Sequence, residues 1–164
     1  MIRIFACVCL FALAPGCSKE EGKTAASDKS SEGASATALT TLDLGGLGLT
    51  AQASSDAKAK KFMKGFMIKG TDLAVTVSPA GRFDAANLDA ATKEATGNKG
   101  TNLTPTKLAD GFVLTYENTG SAGKNYWVTS RRSIGGKDVV CGTTASTPAQ
   151  QASAAAVCKS LKGK

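Results

Sequence analysis

From Leu42 onward, large apolar residues recur in short alternating runs separated by Gly, Pro, Asn and Asp, the pattern of half-buried strands. Leu42 and Leu44, then Leu47 and Leu49, alternate on either side of Gly45-Gly46, as one strand with a bulge would. Ala51 to Lys61 reads as a polar loop. Phe66 to Lys69, then Gly70-Thr71, then Asp72 to Ser78 reads as a hairpin. Pairing Ile68 with Leu73 puts Phe66, Ile68, Leu73, Val75 and Val77 on one apolar face and sets Lys69 across from Asp72. Pro79 ends that strand. Asp84 is placed to cap a helix from Ala85 to about Thr96, with Phe83 and Leu88 as a hydrophobic staple, Gly97 as the stop, and Leu88, Ala91 and Ala95 as a small inner stripe. Asn98 to Asp110 reads as a loop, and Gly111 to Glu117 as a strand with Phe112, Leu114 and Tyr116 on one face.

The last forty residues carry the strongest signals. Tyr126 to Arg132 and Lys137 to Thr143 are rich in β-branched and aromatic residues, and Gly135-Gly136 between them suits a primed hairpin turn. That register pairs Arg132 with Val139, Ser130 with Cys141 and Val128 with Thr143. Tyr126, Val128, Ile134, Val139 and Cys141 then share one face; Trp127, Thr129, Arg131 and Val140 share the other. Thr147-Pro148-Ala149-Gln150 is a capping box with proline at the first helical position, opening a helix that runs to about Lys162. Ala154, Val157, Cys158 and Leu161 fall on one stripe. Cys141 and Cys158 therefore both point at the core, where a disulfide would tie helix to sheet and stabilise by about 3 kcal/mol. Two free buried thiols are the rival reading, and an oxidising compartment favours the bridge. These elements predict an α+β domain: an antiparallel sheet of about six strands with two helices, the C-terminal helix disulfide-linked to the sheet.

The start of the chain bears on the compartment. Arg3 is followed by an apolar run, Ile4 to Leu13, too short to span a bilayer and of signal-peptide length. It leads to Ala14-Pro15-Gly16-Cys17, which resembles the lipobox of bacterial lipoproteins; the family prefers leucine where Ala14 stands, and Leu13 lies one step earlier. The resemblance implies that residues 1–16 are removed and that Cys17 becomes the lipidated N-terminus. Ser18 in place of aspartate implies sorting to the outer membrane, facing the periplasm or the outside. Ordinary cleavage after Ala14 is the rival, and it would leave Pro15 just after the cut, where signal peptidases tolerate it poorly. Cysteine arithmetic sides with lipidation: Cys7 and Cys9 leave with the leader, Cys141 and Cys158 pair, and Cys17 is the odd one. Residues 17–40, rich in Ala, Ser, Thr, Gly, Lys and Glu without periodicity, read as lipidated cysteine and disordered tether, and residues 41–164 as one domain. The order of elements resembles the PsbP/Mog1-like fold of small lipoproteins of the DcrB type, which implies a binding or accessory role.

Composition narrows the chemistry. The chain has 20 Lys+Arg, 13 Asp+Glu and no histidine. Without histidine the common triads and the commonest general base and metal ligand are missing. The mature cysteines are committed to lipid and disulfide, so a thiol nucleophile or zinc site is disfavoured. Gly45-Gly46-Leu47-Gly48 lacks the lysine and helix of a phosphate loop. No cofactor or metal is called for. Two positive features remain. Lys58, Lys60, Lys61, Lys64 and Lys69 surround Phe62, Met63, Phe66 and Met67, as a patch for an anionic envelope polymer, a lipid headgroup or an acidic protein partner would. A solvated loop entering a core hairpin explains the same residues. Trp127 with Arg131 forms an interaction patch if exposed, and simple core if covered. The expectation is a lipid-anchored cell-envelope protein, held at the membrane by its N-terminal lipid, acting as a non-enzymatic binding or accessory module with no nucleic-acid partner. The alternative is a hydrolase-like envelope enzyme using carboxylate or Ser/Lys residues.

Overall fold

The computed structural model describes residues 38–164; the leader, Cys17 and all of the expected tether but its last residues lie outside the described residues. Residues 38–164 belong to one compact unit. Its two apolar cores are assembled from side chains between Leu42 and Leu161, so the unit carries its own folding determinants.

Leu39–Leu44 (β1) and Leu49–Ser54 (β2) pair antiparallel across a tight turn at Gly45–Leu47. The expected single bulged strand is thus a hairpin, closed by Gly48 at φ +70°, a left-handed conformation suited to glycine. The expected loop from Ala51 to Lys61 is mostly strand. Leu49, Ala51 and Ala53 alternate inward along β2, and Lys58–Phe62 (β3) follows. Alanine is a poor strand former and too small to mark a buried face clearly, so this alternation reads as polar.

β3 pairs with Gly65–Gly70 (β4), and β4 with Leu73–Pro79 (β5). The β4–β5 register sets Ile68 against Val75 and Gly70 against Leu73, two residues from the expected pairing. A shift of two preserves the face, so Phe66, Ile68, Leu73, Val75 and Val77 still share it. Lys69 lies opposite Ala74, not Asp72. The turn moves to Thr71-Asp72, where the backbone N–H and hydroxyl of Thr71 both donate to Asp56 Oδ2, at 2.6 and 2.8 Å.

Leu88–Gly97 (α1) starts later than expected. Asn87, not Asp84, caps it and accepts from the Ala90 N–H. Asp84 instead accepts from the Gly81 N–H. Phe83 is 85% exposed and staples nothing. Ala91 and Ala95 are buried and Leu88 packs beside them, as the stripe requires. The expected loop from Asn98 to Asp110 contains Thr101–Leu108 (β6), a polar edge strand whose Pro105 is tolerated there. Gly111–Gly120 (β7), Gly123–Ile134 (β8) and Lys137–Ala145 (β9) complete a meander. The β8–β9 register is the expected one, Arg132 with Val139 and Ser130 with Cys141, turned by Gly135 and Gly136 at φ +58° and +74°.

Pro148–Ser160 (α2) is capped by Thr147, which accepts from the Gln150 N–H; the Gln150 side chain reaches back to the Ser146 N–H. Lys162–Gly163 (β10) then pairs with β2. The expected sheet of about six strands is two antiparallel sheets, one of seven strands in the order β3-β4-β5-β9-β8-β7-β6 and one of three, β1-β2-β10. Polar edge strands and small-residue strands account for the undercount.

The large sheet is covered differently on its two faces. Ile68, Val75, Val77, Val113, Val128, Val139 and Cys141 face α2 and the small sheet. Phe112, Leu114, Tyr116 and Trp127 face α1 on the other side. Four ties hold α2 besides its apolar stripe. The Cys141–Cys158 disulfide joins it to β9. The Gln151 side-chain amide donates to the Tyr116 and Trp127 carbonyls, each at 3.0 Å. Ser160 Oγ accepts from the Gln52 N–H of β2. Arg132, only 8% exposed, donates to the carbonyls of Cys158, Lys159 and Leu161 and is fixed by a forked pair to Asp110 at 2.6 and 2.7 Å. Its charge sits at the negative end of the helix.

Candidate functional site

Cross-strand partners in a sheet point to the same side. Lys58 pairs with Lys69, Lys60 with Met67 and Phe62 with Gly65, so Lys58, Lys60, Phe62, Met67 and Lys69 share one face of the large sheet. Following the registers through β5 and β9 to β8 places Thr76, Ser78, Val140, Thr129, Arg131 and Trp127 on that same face. It is the face that α1 covers, but α1 packs mainly on β6 and β7. The β3-β4-β5-β9 side is left open, with α1 reaching it only through Glu94 at the border of one depression.

Two depressions mark this uncovered side. Asp56, Lys58, Lys60, Lys61, Phe62, Met67, Lys69, Gly70 and Thr71 line an open groove of about 600 Å³. A second, of about 380 Å³, has a floor of small polar residues, including Thr76, Ser78, Thr129 and Thr144, with Phe83 and Trp127 at its border. In the first groove, Lys58 and Lys69 stand directly opposite each other, where like charges are destabilising. The acid at this groove is already engaged: Asp56 is held down to about 2 by hydrogen bonds from Ser54 and from the backbone and hydroxyl of Thr71. None of the four ion pairs among the described residues involves Lys58, Lys60, Lys61, Lys64 or Lys69.

The structure distributes the candidate residues unevenly. Lys58, Lys60 and Lys69 cluster; Lys61 points to the opposite face of β3, and Lys64 sits in the β3–β4 turn. Trp127 and Arg131 lie on the shared face but four strands away, roughly 19 Å at the usual strand spacing. Trp127 is half-buried. Its ring stacks on Tyr116, 5.8 Å between centroids, and its Nε1–H donates to Asn118 at 2.9 Å. Arg131 pairs with Asp138 at 2.7 Å and, by its hydrogen bond, holds that carboxyl below the usual range. Their bonding is therefore satisfied within the fold, and of the candidate residues the groove lysines are the ones outside any ion pair. Cys17 lies outside the described residues. Cys141 and Cys158 are consumed by the disulfide.

β3 is also an edge strand, and lysines on an edge resist pairing with another chain. That role accounts for lysines on β3. It does not account for Lys69, which belongs to the inner strand β4, nor for the apolar turn that β3 leads into. Sequence reasoning did not anticipate Asp56, whose position in an expected loop hid its place at the groove. It also passed over Arg132, although strict alternation from Val128 puts Arg132 on the inward face. Among the described residues, no cluster of three His, Cys, Asp or Glu side chains is placed to hold a metal ion, and no helix is long and apolar enough to cross a membrane. No protein-family model matches this chain, and no curated protein matches its sequence.

Proposed function

We propose that this protein is a lipid-anchored cell-envelope protein whose domain is a non-enzymatic binding or accessory module for anionic surfaces or polymers. The observation that carries the reading is the directly opposed pair Lys58 and Lys69, with Lys60 beside them on an uncovered sheet face and the neighbouring Asp56 already bonded. An anion in that groove relieves the repulsion between the two lysines. Cys17 is the lipidated residue, and Ser18 directs the protein to the outer membrane.

Two measurements test this. Replacing Lys58, Lys60 and Lys69 by glutamine should release residues 35–164 from an immobilised anionic polymer at physiological salt, where screening acts over about 8 Å. Equal retention of wild type and variant removes the electrostatic reading. In cells, Cys17→Ser should leave the full chain unprocessed or free of membranes; normal size with membrane retention defeats the anchor. A carboxylate-dependent hydrolase is the second reading, favoured by Asp84 and Glu94, which border the same depression.

A further inference from the structure

Among the described residues four large apolar side chains are strongly exposed: Leu39, Phe62, Met63 and Phe83. Three of them border two hollows that share Thr76 and Ser78. Phe62, Met63 and Lys64 share a hollow with Thr76 and Ser78, and Thr76 and Ser78 in turn border the depression that Phe83 overhangs. Phe62 pairs with Gly65, so Met63 and Lys64 form the two-residue tip of the β3–β4 hairpin. Met63 holds φ at +50°, a left-handed conformation that favours glycine or asparagine and is unfavourable for methionine. The fold gains little packing in exchange, because Met63 is 84% exposed.

The cations around this tip are arranged on both sides of it. Lys60 lies on the same face as Phe62, Lys61 on the opposite face, and Lys64 in the turn itself. The Arg82 guanidinium stands 4.6 Å from the centre of the Phe83 ring. Asp84 is the acid nearest in sequence to Phe83, and its carboxylate accepts from the Gly81 N–H. Protection of an edge strand calls for lysines but not for a phenylalanine and a methionine projecting between them. An apolar point flanked by cations on both faces of its strand is complementary to an anionic bilayer, whose headgroups meet the cations and whose acyl boundary takes the point.

We propose that the Phe62–Lys64 hairpin tip, with Phe83 beside it, docks point-first into an anionic lipid surface. Phe62 and Met63 enter the acyl boundary while Lys60, Lys61, Lys64 and Arg82 contact headgroups. This deepens the anionic-surface reading and rests on it for the charge of the partner; the apolar insertion is the added element.

The test uses residues 35–164, of which 38–164 belong to one compact unit, and flotation with vesicles of phosphatidylcholine alone or mixed with phosphatidylglycerol. Wild type should float with the mixed vesicles and not with the neutral ones. Met63→Gly is the informative variant, because its two effects have opposite signs. It should raise thermal stability, since glycine accepts the positive φ. It should also weaken vesicle partition about tenfold, the effect of withdrawing one such side chain from lipid. Replacing Lys60, Lys61 and Lys64 by glutamine should weaken partition about fivefold per lysine. If Met63→Gly and Phe62→Ser/Met63→Gly both partition like wild type while the lysine variant does not, the insertion is overturned and the anionic-surface reading stands. Wild type binding a soluble anionic polymer but not mixed vesicles has the same consequence. Wild type binding neither overturns both.

Discussion

Replacing Arg132 by methionine tests whether this guanidinium holds α2 to the sheet. Methionine keeps an unbranched stem in the core and removes five hydrogen bonds, two to Asp110 and three to the carbonyls of Cys158, Lys159 and Leu161. Asp110 is partly exposed and can turn to water, so little of the loss is expected from its side. The helix-end carbonyls are the costly part. The bonds to Cys158 and Leu161 are buried, and each acceptor left bare costs about 1–3 kcal/mol. Losing the cation at the helix C-terminus adds up to ~2 kcal/mol. Allowing for some water entry past Asp110, the variant should be less stable by about 3–5 kcal/mol, the usual range for breaking a buried ionic link. Urea unfolding of residues 35–164 at neutral pH measures this directly. Asp110→Asn should cost less than half as much, because Arg132 keeps its three carbonyls. The acid limb gives a second readout. The Arg132 hydrogen bond holds the Asp110 carboxyl below its ordinary value of 3.8. A depressed folded pKa contributes stability that is present above the unfolded value and lost as pH falls through the folded one. Wild type should therefore lose stability below 3.8 more steeply than Arg132→Met. A loss under about 1 kcal/mol for Arg132→Met, or identical acid slopes, refutes the assignment of Arg132 as the anchor.

Reducing the Cys141–Cys158 bridge, whose partners are 17 residues apart, should cost about 3 kcal/mol in chain entropy, with α2 losing amide-exchange protection before the sheet; an unchanged melting midpoint in reductant contradicts this. Asp56 carries a folded pKa of about 2 against an ordinary 3.8, so its link to Thr71 should persist at pH 4 and loosen as pH falls from 3.8 towards 2, measurable as late loss of Thr71 amide protection. Protection lost already above pH 4 places the carboxyl elsewhere. A Cβ at Gly65 would lie 2.0 Å from the Val77 carbonyl oxygen, so Gly65→Ala should destabilise by about 1–3 kcal/mol, whereas Gly97→Ala, with nothing within 4 Å, should be neutral or stabilising by thermal melt. Equal effects at the two sites would show that the β4–β5 backbones are farther apart than described.

The parts of this fold that are legible in the sequence are those where large side chains and turn glycines agree. Gly135-Gly136 fixes the β8–β9 register because two residues at positive φ leave one pairing open, and Cys141 then falls inward of necessity. Thr147, Pro148 and Gln150 announce α2 for similarly local reasons. The missed strands fail in two physical ways. β2 buries alanines, whose small area gives little contrast with the intervening Thr, Gln and Ser. β3 and β6 are edges, exposed and rich in Lys, Thr and Pro, so alternation carries no hydrophobic signal. At α1 two Asx residues three positions apart compete for the cap. Asp84 is drawn off by the Gly81 N–H, leaving Asn87. For the candidate site, the lysines are visible in the sequence. The opposition of Lys58 and Lys69, and the sharing of one face with Trp127, depend on strand pairings that involve β3, which reads as loop.

The pairing of β10 with β2 sets an order of events. Lys162 meets Thr50 and Ser160 meets Gln52, joining positions 108 or more residues apart. A chain delivered N-terminus first holds β1 and β2 as a lone hairpin, marginal in water, until residues 160–163 arrive. The small sheet is therefore a latch that only the segment following α2 can close, whereas the β3–β5 and β6–β9 meanders can form from neighbours as they emerge. Trimming the final five residues should leave both meanders paired and expose the β2 edge, so that the clipped domain self-associates through the strand that β10 normally occupies.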